Sequence, residues 1–238
     1  MTMKRRFLKL LRQTQETNSL LCKVPLAAAN NRLAMSALLS DATVPNDTIC
    51  VNDTSWSMSW KDCKPSRLEA SKMAVKKFIS KRASLSATDR VAVVSFDSEA
   101  HIVLPFTDIS NLASIRSAIT NLETEGGTNI AKGLKAAARL FANDEMENFA
   151  ARRLKRILLL TDGCGGNPIR ISRALKDADI LLQVIGCGSR SSVNEELLRR
   201  VATTDTKGFT HYWFVNNTKD LIEHYENMAT GIVWKAKK

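Results

Sequence analysis

From about Asp47 onward the chain alternates short apolar runs with stretches of helical periodicity, a rhythm that only a few folds can accommodate. The runs are Thr48–Asn52, Val91–Phe96, His101–Phe106, Ile157–Leu160, Ile180–Ile185 and Tyr212–Val215. A parallel crossover needs a dozen residues or more, and the connection Asp97–Ala100 is too short for one. His101–Phe106 is therefore expected to pair antiparallel with its predecessor, and Pro105, which has no N–H to give a ladder, suits an edge strand. Ile157–Leu160 is apolar throughout and bounded by charge, as expected of a central strand covered on both faces. The expectation is an α/β fold: a doubly wound, mostly parallel central sheet of about six strands, with one antiparallel edge strand and helices on both faces.

The intervening segments carry helix signals. Ser66 and Glu69 make a capping box ahead of Leu68, Met73, Val75, Phe78 and Ile79, which keep helical spacing only loosely. Leu112, Ile115, Ile119 and Leu122 trace a second helix. A third starts at Thr128, after Glu125-Gly126-Gly127, and carries Ile130, Leu134, Ala137, Ala138 and Phe141. Pro168 fits the first turn of a fourth. Ser192 and Glu195 make another capping box before Leu197, Leu198 and Val201, and a last helix is expected from Thr218 to about Met228. Residues 1–46 stand outside this rhythm and are read as an N-terminal extension to a domain spanning 47–238. In it, Phe7, Leu8, Leu10 and Leu11 mark one short basic helix and Asn31–Leu39 another. Either a partner-binding or membrane-surface helix or a segment that packs on the domain or frays fits this pattern, and the second is expected.

Two carboxylates and three hydroxyls fall where such a sheet gathers its loops. Asp53-Thr54-Ser55-Trp56-Ser57 follows the first strand, Gly126-Gly127-Thr128 opens a helix, and Thr161-Asp162-Gly163 follows the central strand. Open α/β sheets bind ligands beyond the carboxyl ends of their strands. An all-oxygen set suits a hard cation such as Mg²⁺, Mn²⁺ or Ca²⁺, and no imidazole or thiol in these motifs favours zinc or copper. Capping and turn roles for the same Ser, Thr and Asp residues are the plainer alternative.

The order D-x-S-x-S at Asp53, Ser55 and Ser57, then G-G-T at Thr128, then T-D-G at Asp162 resembles the metal-ion-dependent adhesion site of von Willebrand factor type A domains. The resemblance runs from residue 47 to about 230 and includes Gly127-Thr128-Asn129-Ile130 and the Ser95-Phe96 end of the second strand. It implies that Ser55, Ser57 and Thr128 coordinate the ion through their hydroxyls. Asp53 and Asp162 would hold it largely through bound waters, and a partner's Asp or Glu would supply the missing ligand. The implied function is an adaptor module that captures an acidic side chain without turnover, in the manner of family members that serve in larger assemblies, including those with an ATPase. The family usually has Gly between the two serines, where this chain has Trp56. Trp56 and Trp60 would flank the site, either as exposed anchors or buried against the N-terminal extension.

Composition supports the remaining expectations. No run approaches the roughly 18 apolar residues of a membrane span, and Met1–Gln13 lacks an apolar core and cleavage site, so a cytoplasmic protein is expected. The five cysteines include no C-x-x-C pair. Cys63, Cys164 and Cys187 are placed in loops on the carboxyl edge of the sheet; a redox-sensitive pair is possible there, but independent free thiols are expected. The net charge of +11 gathers at Lys4–Arg6, Lys76–Arg82, Arg152–Arg156, Arg199–Arg200 and Lys235–Lys238. It permits acidic partners, including nucleic acid, although no nucleic-acid motif accompanies it. A metal-dependent phosphoester hydrolase is the enzymatic alternative, but no general base is visible and His101, His211 and His224 share no ligand spacing.

Overall fold

The computed structural model describes residues 44–147 and 153–231. The proposed helices at Phe7–Leu11 and Asn31–Leu39, Cys22, and the terminal basic clusters lie outside the described residues. Six strands form one sheet in the order β3-β2-β1-β4-β5-β6. They are β1 (Asn46–Asp53), β2 (Arg90–Phe96), β3 (Ala100–Asp108), β4 (Leu154–Thr161), β5 (Leu181–Cys187) and β6 (Tyr212–Val215). β2 and β3 are antiparallel, and every other neighbouring pair is parallel. β3 is an edge strand, which leaves Pro105 where its missing N–H is harmless.

The helices are α1 (Arg67–Leu85), α2 (Leu112–Thr120), α3 (Ile130–Glu147), α4 (Ile169–Asp177), α5 (Glu195–Val201) and α6 (Thr218–Ala229). Strand side chains alternate between two cores, as a period of two requires. Cys50, Val91, Val93, Leu158, Leu160 and Ile185 pack with α1, α2 and α6. Ile49, Val51, Ala92, Val94, Ile157, Leu159 and Val184 pack with α3, α4 and α5. The apolar run Ile157–Leu160 is thus divided between two buried faces, which explains why it contains no polar interruption.

Three local expectations need correction. The buried stripe of α1 is Leu68, Ala70, Ser71, Ala74, Val75, Phe78, Ile79 and Arg82, while Met73 faces outward. Its regularity was hidden because small residues, a serine and an arginine fill core positions. α3 begins at Ile130, not Thr128; Asn129 accepts the Lys132 N–H through Oδ1 at 3.2 Å and leaves Thr128 in the preceding loop. α5 is capped by Asn194, which accepts the Leu197 N–H at 3.2 Å, and Ser192 instead donates to its own turn at Ser189 O. Ser66 does cap α1 by accepting the Glu69 N–H at 3.2 Å, although the Glu69 carboxylate turns to Lys72. Pro168 sits at the N-cap of α4, just ahead of its first turn.

Candidate metal centre

The loop after β1 is shaped by Asp53. This buried carboxylate accepts the Ser55 N–H at 2.9 Å and the Ser55 hydroxyl at 2.6 Å through Oδ1. Its Oδ2 accepts from the Thr161 hydroxyl at 2.5 Å, which ties the end of β1 to the end of β4. Ser55 Oγ and Ser57 Oγ then lie 3.2 Å apart. Two neighbouring ligands of an octahedral Mg²⁺ at roughly 2.0–2.1 Å stand about 3 Å apart, so the two hydroxyls are spaced as a hard cation would require. With its proton given to Asp53, Ser55 Oγ keeps lone pairs for a cation. The residues present therefore fit the ion that the motif implies.

Two further loops close on this one. Trp56 N–H donates to Gly126 O at 3.2 Å and Glu125 N–H to Thr54 O at 2.7 Å, which brings the Gly126-Gly127-Thr128 segment alongside. Gly165 packs so closely on Thr128 that an added Cβ would lie 2.3 Å from the Thr128 carbonyl oxygen, so only glycine permits this approach. Thr128 is half-buried at this junction. Asp162 is buried; its Oδ1 accepts the Cys164 N–H at 3.0 Å and its Oδ2 accepts from Arg67 Nη1 at 3.1 Å.

Arg67 was not expected from sequence. It is fully buried, donates from Nε and Nη2 to Asp62 at 2.8 and 2.5 Å and from Nη2 to Ser192 Oγ at 2.8 Å, and stacks 4.7 Å from the Trp60 ring. Its hydrogen bonds hold the Asp62 carboxyl below its usual range. A basic residue at the first position of a helix opposes the helix dipole, and that oddity was the available signal. Asp53 has a different environment. Burial pushes its carboxyl up to about 6, hydrogen bonds from Ser55 and Thr161 act against this, and the charge of Asp162 adds to it. None of the described ion pairs includes Asp53. Among the described residues no three His, Cys, Asp or Glu side chains converge as a metal-binding group. The candidate centre accordingly consists of hydroxyls supported by two carboxylates.

Trp56, which opens the short helical turn Trp56–Ser59, and Trp60, which follows it, are exposed at 63% and 54%. Cys164 is exposed beside Asp162, whereas Cys63 and Cys187 are buried and Cys187 is the last residue of β5, not a loop residue. His211 and His224 both pack against the ring of Trp213 on β6. No helix among the described residues is long and apolar enough to cross a membrane.

Comparison with known proteins agrees with this fold. Residues 48–165 match the family model described as von Willebrand factor type A domain. An uncharacterized Synechocystis protein is 30% identical over 76% of this chain and 41% of its own length. The uncharacterized YfbK of Escherichia coli is 27% identical over 72% of this chain and 29% of its own. The chain thus spans well under two thirds of these two relatives. Among solved structures, the vWF domain of the type V pili tip protein Mfa5 from Porphyromonas gingivalis superposes with TM-score 0.66 at 17% identity, covering 82% of this chain and 99% of that one. BatB from Bacteroides thetaiotaomicron gives 0.63 at 22% identity, covering 79% and 98%. The pilus adhesin SpaC from Lactobacillus rhamnosus GG gives 0.64 at 16%, covering 81% and 31%. At these identities the structural likeness establishes the fold.

Proposed function

Because residues 48–165 match the von Willebrand factor type A domain family, we propose that this chain is a metal-dependent protein-binding module, not an enzyme. In this reading Ser55, Ser57 and Thr128 ligate Mg²⁺ (or Mn²⁺ or Ca²⁺), and Asp53 and Asp162 support the ion from behind. An Asp or Glu of a partner protein completes its shell. The observation that carries the proposal is the pair of hydroxyls 3.2 Å apart on a buried Asp53.

The surroundings favour a carboxylate as the incoming ligand. Arg67 is shared between Asp62 and Asp162, so the surrounding charges balance. The groups that would touch the ion directly are neutral hydroxyls, which leaves it electrophilic toward a partner's carboxylate. Exposed Trp56 and Trp60 beside it give an apolar flank for the residues next to that carboxylate. Structural neighbours include a pilus adhesin, SpaC, and a pili tip protein, Mfa5. The net charge supports nucleic-acid binding less than its size suggests. Arg67, Arg82 and Arg156 are buried, and Arg90 and Arg153 are bound to Asp47.

The test is capture. Full-length protein immobilised in Mg²⁺ should retain a partner that chelator releases, and the Ser55→Ala/Ser57→Ala double variant should not retain it. Retention unaffected by chelator and by both substitutions would contradict the proposal. Steeply salt-dependent retention of nucleic acid alone would move the function to the basic surface.

A further inference from the structure

Behind the candidate centre, two thiols meet. Cys63 lies in the irregular stretch between the Trp56–Ser59 turn and α1, and Cys187 ends β5. Their sulfur atoms are 3.3 Å apart, both side chains are buried, and 124 positions of chain separate them. Cys164, the other cysteine on this edge, points elsewhere: its sulfur is 3.1 Å from Ser192 O. The first pair is therefore set apart by geometry as well as by burial.

We propose that Cys63 and Cys187 are a redox modification site that closes to a reversible intramolecular disulfide when the protein meets a peroxide. A disulfide needs sulfurs about 2.05 Å apart, so the pair must close by a little over 1 Å. Cys187 is fixed by its strand, paired with Val215 of β6. Cys63 sits in a segment without ladder hydrogen bonds, and its side chain makes most of the movement. Opening of the same segment admits a small oxidant to the buried sulfurs.

The chemistry balances with peroxide as the named oxidant. The Cys63 thiolate attacks the peroxide O–O bond, giving a sulfenic acid at Cys63 and releasing hydroxide, which leaves as water. Cys187 sulfur then displaces the sulfenic oxygen as a second water, and the S–S bond forms. Two thiols lose two electrons and two protons, and hydrogen peroxide becomes two waters. A dithiol reductant reverses the step by exchange. The order of attack agrees with the environment: the hydrogen bond from Cys187 holds the Cys63 thiol below its ordinary value, and the same contact with burial pushes Cys187 up.

The bond would staple the segment that supports the candidate centre. Cys63 N–H donates to Asp62 at 3.0 Å, Asp62 also accepts the Ser189 N–H at 3.0 Å and holds Arg67, and Arg67 reaches Asp162. The proposal does not depend on metal binding. It is tested on the full chain with hydrogen peroxide, alkylation of remaining thiols, and digestion under non-reducing conditions. A peptide linking Cys63 to Cys187 is expected, with Cys164 alkylated. Closing a loop of this length should raise Tm on the order of 10 °C, reversed by dithiothreitol. Cys187→Ser should abolish both the link and the Tm rise, leaving Cys63 as sulfenic or higher acid. A dominant link to Cys22, Cys50 or Cys164 would overturn the proposal, as would full loss of the Cys63 thiol in the wild type without any linked peptide.

Discussion

Asp53 is held in place by neutral donors, while Asp162 is held by a buried arginine, and this difference assigns them separate duties. The metal-free protein carries Asp53 with its carboxyl pushed up to about 6 by burial. A raised folded value means that ionisation destabilises the fold. The penalty develops as pH rises through the unfolded value and is complete above about 6. In chelator, Asp53→Asn should therefore raise Tm at pH 7.5, by at most the equivalent of about 3 kcal/mol, while losing Mg²⁺ binding. Thermal melts at pH 5 and 7.5 check this, and a wild-type advantage over the variant at pH 7.5 without metal would refute it. Arg67→Ala should act in the opposite sense. Leaving Asp62 and Asp162 without their cation should cost about 3–5 kcal/mol in chemical denaturation. The D-x-S-x-S spacing made Asp53, Ser55 and Ser57 legible as a cluster. Arg67 was not, because its partner Asp162 is 95 positions away and nothing in the local pattern joins them.

At the scale of elements, the strands and the antiparallel β2–β3 pair followed from apolar runs and connection length, and β6 was legible to its ends as Tyr212–Val215, whereas the order of strands across the sheet was not. Helix starts were harder. Asn129 and Asn194 displaced Thr128 and the Ser192–Glu195 box as caps, since several residues near each start have the chemistry to cap and only the backbone path selects one. That displacement matters for function, because it leaves Thr128 in a loop held against Gly165. Gly165→Ala would place a methyl group against the Thr128 carbonyl and push the loop away. Mg²⁺ affinity should fall by roughly 10- to 100-fold, as when a supporting contact behind a metal ligand is lost. Calorimetry on the variant checks this; unchanged affinity would show that Thr128 is not a ligand.

Across the whole molecule, charge is divided between the two edges of the sheet. At the amino ends of the strands it is internally matched: Arg82 with Asp89, and Arg90 and Arg153 with Asp47. At the carboxyl ends Asp53 has only hydroxyl and amide donors. The first edge stabilises the fold; at the second, Arg67 is matched by Asp62 and Asp162, and the surroundings of Asp53 are where a cation is proposed to bind. Asp89→Ala, which strands the buried Arg82, should destabilise the protein by about 3–5 kcal/mol yet leave Mg²⁺ affinity as in wild type. The +11 balance is a sum without placement, and Arg67, Arg82 and Arg156 contribute to it from the interior. The measurement that bears most directly on the account is calorimetric titration of Mg²⁺ and Mn²⁺ into wild type and Asp53→Ala, with melts to show that both are folded. Saturable binding by wild type that is lost in the variant is the predicted result. Equal binding by both proteins would place the metal elsewhere and contradict the central claim.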